Sequence, residues 1–332
     1  MSWESRWDPT APGYVARQFY LRPLSWLYLL GWRGYETVYK LKLKRPYFPK
    51  NPVVCVGSCL SGGSGKTPMV IFLAELLQEQ GKQVVISCNG YGSPHQDGAT
   101  VAPLGRLDAA EWGDEPSLLR EALPGVPMIV GRERAKAAKL AEESFVDHVL
   151  LLDDGLQHLP LGKDLQIVML PPGVSNQHCF PAGPFRQPAT DSYRFDSVLP
   201  SREFSIESTS QLRLPESRIE EPLGKRVQLL TAIARPERVA AALERYEFAI
   251  VRACLLWDHH PLSDGTLLQQ FDPELPILVT EKDWVKLRSR PDVDQYTFWV
   301  VQHRSSVEPR SAFGDWIHRE LERKHSARLS RS

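Results

Sequence analysis

The sequence lacks net charge, paired cysteines and any long apolar run, and each of these shortfalls closes off a class of protein. Lys+Arg and Asp+Glu both number 40 among the 332 residues, which disfavours a globally basic nucleic-acid binder. Five cysteines, Cys55, Cys59, Cys88, Cys179 and Cys254, include no CxxC pair. Neither a zinc knuckle nor a disulfide framework is therefore indicated, and a reducing cytosol is the expected setting. The start, MSWESRWDPT, has no basic stretch followed by an apolar run and does not read as a secretory signal. The most apolar stretch, residues 24–32, falls far short of the roughly 20 residues that a membrane-crossing helix needs. What remains is a globular composition, 42% hydrophobic and 24% charged, on a chain whose length suggests about two domains.

The balanced charge hides an asymmetry. Residues 1–50 carry nine Lys/Arg against three Asp/Glu and hold 12 aromatic residues, a combination suited to an anionic surface. Within them, residues 23–43 lack an internal proline, and Leu24, Leu27, Tyr28, Tyr35, Val38 and Tyr39 recur at helical spacing. Pro23 suits a first turn and Pro46 closes the segment. Trp26 and Trp32, with Lys40, Lys42, Lys44 and Arg45 at the far end, make an amphipathic helix that can lie in a membrane interface. An ordinary packing helix with a solvated basic end is the alternative.

Beyond Pro52 the pattern changes to strand, glycine loop and helix. The apolar run Val53-Val54-Cys55-Val56 leads into Gly57-Ser58-Cys59-Leu60-Ser61-Gly62-Gly63-Ser64-Gly65-Lys66-Thr67-Pro68, followed by helical spacing over residues 69–80 and a strand over 84–87. This is a βαβ unit with a parallel sheet. Further apolar runs at residues 126–130, 148–152 and 165–170 alternate with helical stretches and argue a doubly wound sheet. Residues 202–222 turn polar, as a linker or exposed excursion would. A second strand series at residues 227–231, 249–253, 277–280 and 298–301 indicates a smaller α/β domain, and the chain after Lys324 reads as a frayed polar tail. The expected division is a helical segment over 1–48, a phosphate-loop core over 49–222, a smaller domain over 223–323 and a tail over 324–332.

The glycine loop can cradle phosphate oxygens with successive backbone N–H groups and the start of the next helix. Gly62, Gly63, Ser64 and Gly65 form the cradle, Lys66 would reach the β/γ phosphates, and the Thr67 hydroxyl is placed for Mg²⁺, as in a Walker A loop that has Leu60 where the first glycine belongs. Asp153 and Asp154 end a strand where a Walker B acid would hold the metal, and Gln157 and His158 follow on the same loop. Gly113-Asp114-Glu115-Pro116 sets two carboxylates before a helix, where capping is the plain explanation. Asp258-His259-His260 offers either a structural pair or a catalytic helper across a domain cleft.

Together these segments resemble the tetraacyldisaccharide 4′-kinase family over nearly the whole chain. The family's GGTGKTP is similar to Gly62-Gly63-Ser64-Gly65-Lys66-Thr67-Pro68, its GDEP to Gly113-Asp114-Glu115-Pro116, and its GRDR-like segment to Gly131-Arg132-Glu133-Arg134. Its DDGxQH resembles Asp153-Asp154-Gly155-Leu156-Gln157-His158. The LPAGPLREP-like stretch resembles Phe180-Pro181-Ala182-Gly183-Pro184-Phe185-Arg186-Gln187-Pro188. GIARPxR resembles Ala232-Ile233-Ala234-Arg235-Pro236-Glu237-Arg238, FPDHH resembles Asp258-His259-His260, and TEKD is Thr280-Glu281-Lys282-Asp283. Two departures stand out: Asn89 where the family's SRGYG has arginine, and Gly57-Ser58-Cys59-Leu60-Ser61 for its GNxxxGG entry.

The resemblance implies a fold like that of the P-loop NTPases and transfer of the ATP γ-phosphoryl, with Mg²⁺, to the 4′-hydroxyl of a tetraacylated glucosamine disaccharide 1-phosphate. The product is lipid IVA, in lipid A synthesis at the cytoplasmic face of the bacterial inner membrane. It assigns Asp114 as proton acceptor with His259 as its partner, Lys66 as the phosphate lysine, and Glu115, Thr67, Asp153 and Asp154 to the metal. Arg134, Gln157 and His158 are then expected at the substrate. Nothing in it addresses oligomeric state. The rival is a P-loop GTPase or ATPase switch or metallochaperone, which would want a guanine-reading NKxD; only Thr280-Glu281-Lys282-Asp283 partly echoes one. An inactive membrane scaffold would leave Asp114, Asp153 and Asp154 without a task.

Overall fold

A computed structural model describes residues 7, 9–214, 224–233, 239, 246–258 and 260–330. In chain order the described elements are α1 (Tyr14–Lys40), β1 (Val53–Gly57), α2 (Lys66–Glu79), β2 (Gln83–Cys88), β3 (Thr100–Val101), α3 (Ala109–Trp112), α4 (Asp114–Ala122), β4 (Met128–Val130), α5 (Arg134–Ser144), β5 (His148–Asp153), β6 (Leu165–Met169) and β7 (Ser197–Leu199). There follow β8 (Ser205–Arg213), β9 (Arg226–Thr231), β10 (Ala249–Leu255), β11 (Ile277–Thr280), α6 (Glu281–Leu287), β12 (Phe298–Glu308) and α7 (Arg310–Leu329).

Strands that are apolar on every residue need cover on both faces, and the first sheet has it. In β1, Val54 and Val56 join one core while Val53 and Cys55 join the other; in β5, Val149 and Leu151 separate from Leu150 and Leu152 in the same way. The sheet has seven strands in the order β3-β4-β2-β5-β1-β6-β7, parallel except for β3 against β4. Helix α2 is buried along most of its length against one face, and Ala137, Ala138 and Ala141 of α5 pack on the other. This is the expected doubly wound α/β sheet. A second, five-stranded sheet runs β10-β9-β11-β12-β8, parallel except for β8 against β12.

Three stretches depart from the expectations above. The polar segment over 202–222 holds strand β8, paired along its length with β12; it is an antiparallel edge strand with both polar faces largely exposed, so its sequence shows no apolar alternation. The tail expected from residue 324 is helical through Leu329, because Lys324 pairs with Asp196 and Arg328 grips Asp164 through two nitrogens, the shorter contact 2.7 Å. Helix α1 spans 27 residues and contains Pro23 in its interior. The bond a proline cannot donate would have gone to the carbonyl of Phe19, which lies on the outward, exposed side, so solvent can take its place.

Helix α7 returns the end of the chain to the first sheet. Phe313, Ile317 and Leu321 enter the same core as Phe72 and Leu73 of α2, and Arg310 pairs with Glu79 at 2.7 Å. Phe313→Ala should therefore cost about 3–5 kcal/mol, the range for truncating a fully buried phenylalanine, and loosen the phosphate-loop sheet although it lies far along the chain. Denaturant unfolding of the two proteins is the check. A cost below about 1 kcal/mol would mean that α7 is not part of that core.

Candidate active site

The site grows from the carboxyl edge of the first sheet, where β1 ends in Gly57. A Cβ there would come within 2.6 Å of the Leu156 Cβ, so glycine lets the loop after β5 cross over the loop after β1. The glycine loop turns into α2 through Gly65, at φ 81°, a conformation that side chains resist. A glycine loop of this kind at the positive end of a helix is suited to offer backbone N–H groups to an anion. The loop is held from outside by residues 178–187. Ser61 N donates to the Pro184 carbonyl at 2.8 Å, Arg186 N donates to that of Cys59 at 2.7 Å, and Leu60 forms a bridge with Phe185. Leu60 thus replaces a flexible glycine with a buried anchor.

Acidic groups face this loop. Asp153 completes β5, and Asp154, next in sequence, adopts φ 54°, a left-handed conformation that aspartate tolerates better than most residues. The Asp154 carboxylate meets Arg186 at 2.8 Å and Lys66 at 3.9 Å; Lys66 also reaches Ser64 Oγ at 3.3 Å. Burial raises the Asp154 pKa, but Lys66 and Arg186 outweigh it and hold the carboxyl below its ordinary range. Asp153 goes the other way: burial, with Glu115 and Asp154 nearby, pushes it up to about 7. Asp153 Oδ2 and Asp154 Oδ1 are both buried with no hydrogen-bond partner.

Buried acceptors without donors are costly, and like charges crowded together demand a cation. Among the described residues no group of three or more His, Cys, Asp or Glu is gathered as a preformed metal site. Mg²⁺, however, is commonly held by one or two carboxylates plus phosphate oxygens, and the orphaned oxygens of Asp153 and Asp154, beside Glu115 and across the loop from Thr67, fit that mode.

Asp114 lies at the junction of the two sheets. It is the first residue of α4, after the Gly113 cap, so one of its oxygens can serve the first turn as the capping explanation expects, and the other is left for a second partner. Its Oδ1 accepts the Glu115 N–H at 3.0 Å, while Oδ2 lies 3.8 Å from Lys282 Nζ on α6. The same ammonium meets Asp258 at 3.0 Å. Burial lowers the Lys282 pKa, but Asp114, Asp258 and Glu115 more than offset it and raise it above the ordinary value. His259 lies outside the described residues. His260 serves a turn: its Nδ1 accepts the Leu262 N–H at 3.0 Å and its ring packs against Trp257.

The remaining expected residues are placed as follows. Arg134 is only 3% exposed; its guanidinium donates to the Asp153 carbonyl at 2.6 Å, to Gly131 O and to Ser87 Oγ. It braces the strand end from beneath. Gln157 donates to the Ser58 carbonyl at 3.0 Å and to Gln187. His158 keeps a buried, unpartnered Nε2, and burial with Lys163 nearby drops its pKa to about 4. Asn89, at the departure from the family's SRGYG, likewise has a buried Oδ1 without a partner. Sequence reasoning did not single out Lys282 or Arg186, although both lie in motifs it quoted. The acid of Thr280-Glu281-Lys282-Asp283 is spent internally: Asp283 accepts from Thr280 Oγ1 at 2.7 Å, Thr231 Oγ1 at 2.9 Å and Ala232 N at 3.1 Å. It therefore has no oxygen to offer a guanine base.

With this geometry, residues 17–322 match the family described as tetraacyldisaccharide-1-P 4′-kinase. The chain belongs to that family. Similar relatives include the tetraacyldisaccharide 4′-kinase of Ectopseudomonas mendocina, 33% identical over 91% of this chain and 92% of its own. That of Shewanella baltica is 33% identical over 87% and 88%. Among solved structures, LpxK from Aquifex aeolicus in its "apo" form in complex with ATP superposes with a TM-score of 0.75 at 25% identity, covering 92% of this chain and 99% of that one. The phosphate-loop architecture, the kinase assignment and the family motifs therefore agree.

The raised Asp153 pKa makes a signed prediction. Its carboxyl is neutral more easily folded than unfolded, where 3.8 is ordinary, so its contribution to stability is full below about pH 4 and is lost as pH rises through about 7. In metal-free protein, Asp153→Asn should be more stable than the parent at about pH 8 and close to it at about pH 4. Melting curves at the two pH values test this; an equal difference at both would contradict it.

Proposed function

We propose that the chain transfers the γ-phosphoryl group of ATP to the 4′-hydroxyl of a tetraacylated glucosamine disaccharide 1-phosphate, with the glycine loop and Lys66 on the phosphates and Asp114 accepting the hydroxyl proton. The 4′ oxygen bonds to the γ phosphorus as the bond to the bridging oxygen of ADP breaks, and the proton passes to the Asp114 carboxylate. Phosphoryl transfer asks mainly for positioning and charge neutralisation. Gly62, Gly63, Ser64 and Gly65 offer N–H donors and Lys66 a point charge. Thr67, Glu115, Asp153 and Asp154 would hold Mg²⁺, which when bound neutralises charge on the phosphates. His259 remains the proposed partner of Asp114. Gln157 and His158 face the acceptor on the loop beside Asp154, and Arg134 acts beneath them by fixing the end of β5. On this reading the first sheet carries the nucleotide, the second closes over it, and Asp114 works where they meet. The observation that carries the reading is the convergence of Lys66, Asp153, Asp154 and Glu115 on one loop, with Asp114 held from the other side by Lys282.

Lys66→Ala should abolish transfer with little change in melting temperature, since the lysine supplies charge to phosphates and packs little. Asp114→Asn should slow single turnover by ~10²-fold or more with ATP affinity nearly unchanged, the scale of lost general-base help. A normal rate in the Asn variant would remove Asp114 as the proton acceptor.

The second part of the proposal is peripheral binding to the cytoplasmic leaflet of the inner membrane through α1. No described helix is long and apolar enough to cross a membrane, yet α1 is turned inside out relative to an ordinary surface helix. Its inward side is polar: Gln18 donates to the Ala182 carbonyl at 2.8 Å, Ser25 to Cys179 at 2.7 Å, Tyr28 to Arg186 at 2.7 Å, and Arg33 pairs with Asp191. Its outward side leaves Phe19 76%, Trp26 70% and Leu30 71% exposed, a patch that water disfavours and an interface accommodates. Trp26→Asp combined with Leu30→Asp should abolish flotation with anionic vesicles without lowering the melting temperature. Undiminished flotation of the double variant would dismiss α1 as the docking element.

A further inference from the structure

We infer that Lys282 is a positioning residue for the reaction, holding the Asp114 carboxylate in its proton-accepting orientation from across the junction of the two sheets. This rests on Asp114 being the proton acceptor. Lys282 is carried by α6, whose first turn is fixed by Asp283, and Asp283 is tied to Thr280, Thr231 and the Ala232 N–H. From that fixed base the ammonium bridges two acids: Asp258, on the turn after β10, at 3.0 Å and Asp114 Oδ2 at 3.8 Å. The other Asp114 oxygen accepts the Glu115 N–H. With one oxygen tied to its own helix and the other facing a cation, the carboxylate has little freedom to turn.

Among the described residues, charged or titratable groups near this lysine come from three elements. From α4 come Asp114 and Glu115, from the turn after β10 Asp258 and His260, and from α6 Lys286 and Asp283. Lys286 makes its close contacts elsewhere, to the His260 carbonyl at 3.0 Å and to Asp283 at 3.5 Å, so of the two lysines of α6 it is Lys282 that meets the Asp114 carboxylate directly. Nor is Lys282 needed merely to hold the sheets together. Arg288 does that by pairing with Glu121 and donating to the Leu107 carbonyl at 3.0 Å, as does Arg213 by meeting Glu121 at 2.7 Å. Anchored to Asp258 at the shorter distance, the ammonium is held where it faces Asp114 Oδ2 and can fix that carboxylate's orientation.

The test uses the full-length enzyme with ATP and the lipid acceptor. Lys282→Met, which keeps the length and removes the charge, should lower kcat by ~10-fold or more while KM for the lipid and Kd for ATP change less than about twofold. Lys282→Arg should recover part of the rate, and adding Lys282→Met to Asp114→Asn should slow the enzyme no further, because the lysine acts through the carboxylate. Should Lys282→Met fail to fold, Lys282→Gln takes its place in the same comparison. A slow Asp114→Asn enzyme beside a Lys282→Met or Lys282→Gln enzyme with normal kcat would overturn this inference alone. Losses that multiply in the double variant would also overturn it, as a separate role. An Asp114→Asn enzyme of normal rate would overturn the proton-acceptor assignment and this inference with it.

Discussion

Carboxylates crowded into a poorly hydrated edge of a parallel sheet repel one another, and this repulsion organises the rest of the structure. At the end of β5, Glu115 and Asp154 add to burial in pushing the Asp153 carboxyl toward its neutral form. The protein answers with cations arranged at different depths: Lys66 and Arg186 meet the Asp154 side chain, and Arg134 grips the Asp153 backbone from beneath. The compensation is incomplete, since two carboxylate oxygens remain buried and unpaired. Incomplete compensation suits a site that is completed by a cation and phosphates during each turnover.

The same logic extends to the second sheet. Asp114 begins a helix of the first unit, but the cation opposite it belongs to α6 of the second. The two sheets thus both contribute residues here, and Arg288 and Arg213, each pairing with Glu121, tie elements of one sheet to those of the other. The segment at residues 178–187 makes a parallel connection on the other side. It pins the glycine loop through Ser61, Cys59 and Leu60, and it receives the hydrogen bonds of α1. The helix proposed to meet the membrane and the loop proposed to hold ATP therefore share one support.

Much of this was legible in the sequence where chemistry and local structure coincide. The strand, glycine loop and helix around Lys66 announce themselves because each needs its own residue types in a fixed order, and Asp153-Asp154 follows an apolar run that can only be a buried strand. What was not legible depends on partners distant in the chain. Strand β8 shows little apolar alternation because, apart from Ile206 and Leu212, its side chains are polar and it is held mainly by its backbone pairing with β12, and Pro23 fits inside α1 because its carbonyl partner faces outward. Lys282 reads as an unremarkable member of a motif until folding sets it between Asp114 and Asp258. Arg134 is expected at the substrate from the family resemblance alone, and its internal hydrogen bonds to Ser87 of β2 and Asp153 of β5 depend on neighbours that only folding brings to it.

The central claim is that this constellation moves phosphate onto a sugar hydroxyl of a lipid. The most direct measurement supplies γ-labelled ATP, Mg²⁺ and the disaccharide 1-phosphate in mixed micelles and follows the label in both lipid and water. The account predicts that label appears on the 4′ oxygen of the lipid, that ATP consumption requires the lipid, and that neither occurs with Lys66→Ala. Label released only as inorganic phosphate, at a rate indifferent to the lipid, would contradict it and point to a nucleotide-hydrolysing switch.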